Sequence, residues 1–182
     1  MRVFIAVDLP EGEAKRSVAA LINSLKNKQE LKTVSPENLH FTLAFIGETN
    51  AEEVNKVCKI VDDINQAAFT AELSGLGFFP NKGTPRVIWI GVPKERGGDK
   101  MVALANSIRQ ALKENNISFD PKPFAPHLTL ARVRERATAK NIELTSANLG
   151  DFYVDKFSVK ESVLTRSGPI YKDLKIKPLF SA

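Results

Sequence analysis

Residues 40–44 read HFTLA and residues 127–131 read HLTLA, and these two stretches hold both histidines of the 182-residue chain. Side chains alternate faces along a strand, so His40 and Thr42 point one way while Phe41 and Leu43 point the other. His127 and Thr129 share a face in the same manner, against Leu128 and Leu130. Each strand therefore buries an apolar row and presents an imidazole beside a hydroxyl. A second Thr-Leu-Ala at the same offset from a histidine is about a one-in-a-few-thousand coincidence.

The flanking segments repeat as well. RVFIAV at 2–7 reads as a buried strand, and RVIWIGV at 86–92 resembles it at an offset of 84 residues; the histidines are 87 apart. After the first strand, Pro10 with Glu11 and Glu13 marks a helix start, followed by Val18, Leu21, Ile22 and Leu25 at helical spacing. A short extended segment at Leu31–Ser35 leads to the strand at 40–47. Thr49 and Glu52 have the form of a capping box before a helix whose apolar face is Val54, Val57, Cys58 and Val61.

FTAELSGLGFF at 69–79 is strand-like, and PNKGTP at 80–85 is turn chemistry. In the second half Met101, Leu104, Ala105, Ile108, Ala111 and Leu112 line one helix face. A helix is expected near Thr138–Ala147, then strands over 152–164 and 170–179 joined by a Ser-Gly-Pro turn. Recurrence at a fixed offset indicates an internal duplication. The expected architecture is α+β. Two pseudo-symmetric lobes, each with a mainly antiparallel sheet and outer helices, would form one unit over residues 1–182.

Hydrophobic residues make up 43% and charged residues 26%, the balance of an ordinary globular chain that can build a core. The net charge is +5, unevenly placed. Residues 1–91 carry 10 Lys+Arg against 11 Asp+Glu, and residues 92–182 carry 16 against 10. A basic half suits a polyanionic substrate, and equally a solvated surface. Cys58 is the single cysteine, so no internal disulfide forms, and it reads as inert filler on an apolar helix face. No run approaches the ~20 apolar residues of a membrane span, and Val3–Val7 is too short for a signal-peptide core. A cytoplasmic, soluble protein is expected.

A lone histidine on a strand is more often a hydrogen-bonded interior residue. Two, each beside a threonine and at duplicated positions, favour chemistry. One neutral imidazole can remove a proton from water while the other, protonated, delivers one to a leaving oxygen. Thr42 and Thr129 can donate hydrogen bonds where negative charge grows. Two imidazoles fall short of the usual three or four ligands of a metal site, and neither His-bearing face carries an Asp or Glu. Neither metal nor cofactor is expected.

The chain resembles the two-histidine phosphoesterase superfamily, whose paired H-x-[ST]-hydrophobic motifs appear here as HFTL at 40–43 and HLTL at 127–130. Within it, RVFIAV, HFTLAFIG, PRVIWIGV and PHLTLARV are similar to the RNA 2′,3′-cyclic phosphodiesterases, long called 2′-5′ RNA ligases. The resemblance implies a bilobed fold with histidines facing across a cleft. It implies hydrolysis of a terminal cyclic phosphate to a 2′-phosphomonoester, with His40 as proton donor and His127 as acceptor. RNA ends, tRNA fragments among them, are the implied partners of a monomer. Ligation in the reverse direction and a non-catalytic RNA-end-binding module remain open.

Arg132 resembles a position that aids phosphate binding. Strict alternation places it opposite His127, so it acts from the strand end or is a plain surface arginine. Arg132, Arg134 and Arg136 form either a phosphate-tracking row or a solvated face. Phe45, Phe78, Phe79, Trp89 and Tyr171 are candidates for base stacking, with Trp89 better explained as core. Lys82 and Gly83 either border the cleft or belong to an ordinary turn.

Overall fold

The computed structural model describes residues 1–134 and 148–181. The expected helix at 138–147 and Arg136 lie outside them. Among the described residues, ten strands form three antiparallel sheets. Strands β1 (Arg2–Asp8), β3 (His40–Glu48), β9 (Lys156–Thr165) and β10 (Gly168–Pro178) make one sheet in the order β10-β9-β1-β3. Strands β2 (Leu31–Thr33), β5 (Leu76–Phe79), β6 (Val87–Gly91) and β7 (His127–Val133) make the second, ordered β2-β7-β6-β5. Strands β4 (Phe69–Ser74) and β8 (Asn148–Val154) pair alone.

In each large sheet the histidine strand lies beside the strand that opens its half of the chain, β3 beside β1 and β7 beside β6. The α+β, two-lobed expectation holds.

Two expected long strands are each broken in two. The 69–79 segment divides at Gly75, whose φ of +86° suits a residue without a Cβ, and the 152–164 segment divides at Asp155. The breaks have a topological cause. Strands β4 and β8 pair with each other, after which β5 crosses to the second-half sheet and β9 to the first-half sheet. Each large sheet thus takes two strands from the other half of the chain, β9 and β10 in one and β2 and β5 in the other.

Helices α1 (Glu13–Leu25), α2 (Ala51–Asp62) and α3 (Gly98–Glu114) each bury one apolar face. Helix α1 begins three residues later than Pro10 suggests, with Gly12 at its N-cap. The cap of α2 is shifted one residue from the expected Thr49–Glu52 pair. Asn50 accepts from the Glu53 amide at 2.9 Å, and the Thr49 hydroxyl donates to the Glu53 carboxylate. Val18, Ile22 and Leu25 of α1, Val57 and Val61 of α2, and Met101, Leu104, Ile108 and Leu112 of α3 are all buried. Cys58 is half-buried against the core.

The apolar faces of the histidine strands enter the same core. Phe41 is fully buried and stacks on Phe152 at 5.5 Å, so truncating it to alanine would cost about 3–5 kcal/mol. That burial leaves the opposite faces of β3 and β7 free for a cleft that, among the described residues, none of the three α-helices lines. No helix among the described residues is long and apolar enough to cross a membrane.

Candidate active site

A cleft of about 890 Å³ takes its walls from both large sheets, and His40, Thr42, His127 and Thr129 all line it. The alternation that buries Phe41, Leu43, Leu128 and Leu130 delivers these four side chains.

Each imidazole is oriented by the backbone two residues upstream. His40 Nδ1 lies 2.6 Å from the Asn38 carbonyl oxygen, and His127 Nδ1 lies 2.8 Å from that of Ala125. A carbonyl only accepts, so both Nδ1 atoms bear hydrogen. Both neutral rings therefore keep their lone pair on Nε2. His40 Nε2 is 3.1 Å from the Thr42 hydroxyl, which donates to the neutral ring and accepts from the protonated one. Prolines enforce the two approaches, Pro36 in the 3₁₀ turn Pro36–Asn38 and Pro126 directly before His127.

Aromatic rings brace each imidazole. Phe4 and Tyr171 both lie 5.1 Å from His40, Tyr171 edge-on. Phe79 lies 5.1 Å from His127 at right angles, and Trp89 lies 6.3 Å away. Burial pushes the His40 pKa below its ordinary value, against the hydrogen bond that the ring donates to the Asn38 carbonyl and the charge of Asp8, while Lys160 and His127 lower it further. Burial raises the Tyr171 pKa, against the charges of Arg132, Arg2 and Lys160. Its phenol thus stays a donor.

Arg132 corrects the alternation argument. It lines the cleft with His127 and Thr129 rather than standing on the opposite face. The pairing of β6 with β7 slips by one residue, from Ile88↔Ala131 to Trp89↔Thr129, leaving Leu130 as a bulge. Leu130 and Ala131 are then buried in succession, and Arg132 returns to the histidine face.

Strand β3 does the same. Its register against β1 slips from Ile5↔Ala44 to Ala6↔Thr42, Leu43 is the extra residue, and Phe45 turns into the cleft. The carbonyls of both bulged residues find partners. Arg109 Nε donates to Leu43 at 2.8 Å, and the Val34 amide donates to Leu130 at 2.9 Å.

The other aromatic candidates divide. Tyr171 lines the cleft, Phe78 does not, and Phe79 meets His127 from behind. Trp89 is half-buried, its ring held between Phe79 and Gly77, rather than wholly core. Arg134 is exposed away from the cleft, and the exposed turn with Lys82 and Gly83 does not border it.

Sequence reasoning missed Phe4, Arg2, Asn38 and the Asp8–Lys160 pair. The signal for Asp8 was the charge that ends the apolar run of β1. Among the described residues, no three His, Cys, Asp or Glu side chains converge as a metal site.

The family model LigT like Phosphoesterase matches the chain twice, over residues 7–89 and 90–171. An RNA 2′,3′-cyclic phosphodiesterase of Archaeoglobus fulgidus is 38% identical over 97% of this chain and 99% of its own. One from Thermotoga maritima is 35% identical over 96% and 93%. A crystal structure of a Thermus thermophilus protein superposes with a TM-score of 0.85 at 32% identity, covering 100% and 99% of the two chains. Escherichia coli LigT in complex with 3′-AMP superposes with a TM-score of 0.80 at 27% identity, covering 98% and 97%. A family match over both halves, with relatives of this identity along almost the whole length, places the chain in the LigT-like, two-histidine phosphoesterase family.

Proposed function

We propose that this protein is an RNA 2′,3′-cyclic phosphodiesterase that opens a terminal cyclic phosphate to a 2′-phosphomonoester. The observation that carries the reading is the matched pair of imidazoles, one from each large sheet, each locked with its Nε2 edge available to one cleft. His127 Nε2 takes a proton from the attacking water as the new P–O bond forms. Protonated His40 gives its proton to the ribose 3′-oxygen as the P–O3′ bond breaks, leaving a 3′-hydroxyl. The entering phosphate anion favours the protonated form of His40 that burial alone disfavours.

Thr42 and Thr129 donate to the non-bridging oxygens, and Arg132 offers a planar guanidinium to the same charge. Phe45 presents an apolar wall to the nucleoside; the Arg2 guanidinium already sits 5.2 Å from its ring. The scheme uses no cofactor. One chain, working as a single catalytic domain of two repeats, supplies every group, so a monomer suffices. RNA ends bearing cyclic phosphates are the substrates, tRNA fragments included, and the lone Cys58 suits the reducing cytoplasm.

Incubation with a cyclic-phosphate-ended oligonucleotide in EDTA tests the reading. Release of a 2′-phosphate end supports it. A 3′-phosphate end, a joined product, or tight binding with no product rejects it.

A further inference from the structure

Beside the cleft, Lys160 of β9 is only 5% exposed. Its ammonium lies 2.8 Å from an Asp8 carboxylate oxygen on β1 and 2.6 Å from one of Asp173 on β10. Asp8 is also the partner of His40 across the β1–β3 ladder, so both side chains leave the sheet on one face, side by side. None of the three charged residues is among those that line the cleft.

Two carboxylates around one ammonium leave one surplus negative charge. A buried ion network of this kind is a poor source of stability compared with apolar packing, and one carboxylate alone would pair the lysine. What the surplus does reach is the imidazole opposite Asp8. We propose that Asp8, Lys160 and Asp173 are positioning residues for the proton of His40: Asp8 holds that proton on the ring, and Lys160 limits how tightly. This rests on the two-histidine reading, in which His40 must carry a proton when the leaving oxygen departs.

The other titratable groups near His40 are Tyr171 on β10, at 5.1 Å between rings, and His127 on β7, which disfavours its charge. Glu37 on the turn before β3, Arg2 on β1, Lys32 on β2 and Arg132 on β7 line the same cleft. Of the groups acting on His40, Asp8 favours the charged ring and Lys160 opposes it. Removing each must therefore act in opposite directions, which a merely structural role would not do.

The chain has two histidines, so both imidazoles are resolvable in a proton-carbon NMR titration, with His127→Ala assigning the signals. Asp8→Asn should move the His40 midpoint to lower pH by several tenths of a pH unit, and Lys160→Met should move it to higher pH. At a fixed pH above the midpoint, the protonated fraction in Asp8→Asn falls roughly two- to threefold. Shifts in one direction, or none, overturn the proposal.

If Lys160→Met does not fold, Asp173→Asn takes its place. It keeps the lysine and removes a carboxylate, so it must lower the midpoint as Asp8→Asn does, and an unmoved midpoint overturns the proposal. The titration needs no substrate, so its outcome stands apart from whether the wild-type protein opens a cyclic phosphate at all.

Discussion

Phe45 and Arg132 occupy equivalent places in the two halves of the chain. Each stands five residues beyond a histidine, and each is turned onto the histidine face by one bulged leucine, Leu43 or Leu130. The same backbone device thus puts an aromatic ring on one side of the cleft and a guanidinium on the other. The near-symmetry of the scaffold is broken by side-chain identity at this pair.

Arg132→Ala should lower kcat/KM by about 10–100-fold, the worth of a charge-assisted hydrogen bond to an anion. Arg132→Lys should recover only part of the loss, because the planar fork is missing. Steady-state kinetics on a cyclic nucleotide checks both. Wild-type behaviour of Arg132→Ala would return the residue to the status of a surface arginine.

Arg109→Met should destabilise the fold by about 1–3 kcal/mol, since it orphans the part-buried Leu43 carbonyl at the bulge. Thermal unfolding gives the stability. A loss of turnover larger than the fold defect would show that the bulge sets the placement of Phe45 and His40.

The strands, the helix faces and the histidine pair are legible in the sequence because they are periodic. Phe41, Leu43, Leu128 and Leu130 alternate with His and Thr, and that pattern needs no long-range information. The bulges are not periodic. A slip of one residue shows locally only as two successive apolar positions, Leu43-Ala44 and Leu130-Ala131, which break the alternation just before Phe45 and Arg132. That doublet was the available signal. The splitting of 69–79 and 152–164 was less visible, because the choice of sheet for β5 and β9 depends on partners far away in the chain. Lys160 was hidden for a different reason: its pairing with Asp8 joins residues from opposite ends of the sequence.

Gly77→Ala should destabilise the protein by about 1–3 kcal/mol, as overpacking does. A Cβ there would stand 2.3 Å from the Trp89 ring, which must move. Because Trp89 packs with Phe79 and both meet His127, activity should fall along with the melting temperature. An unchanged melt would mean that the indole shifts freely and does not brace His127.

The pH dependence follows from the sign of the His40 shift. A proton donor works below its own pKa and fails as pH rises through it. Burial sets that value lower than usual, so kcat/KM should decline on the alkaline side beginning below the ordinary imidazole pKa of about 6.5. A rate profile flat between about pH 5 and 8 would contradict paired proton transfer.

The most direct test is single-turnover opening of a 2′,3′-cyclic-phosphate-ended oligonucleotide by the wild type, His40→Ala and His127→Ala. Each variant should fold normally and lose about 10²–10⁴-fold in rate. Near-normal turnover in either one, with the fold intact, would contradict the account.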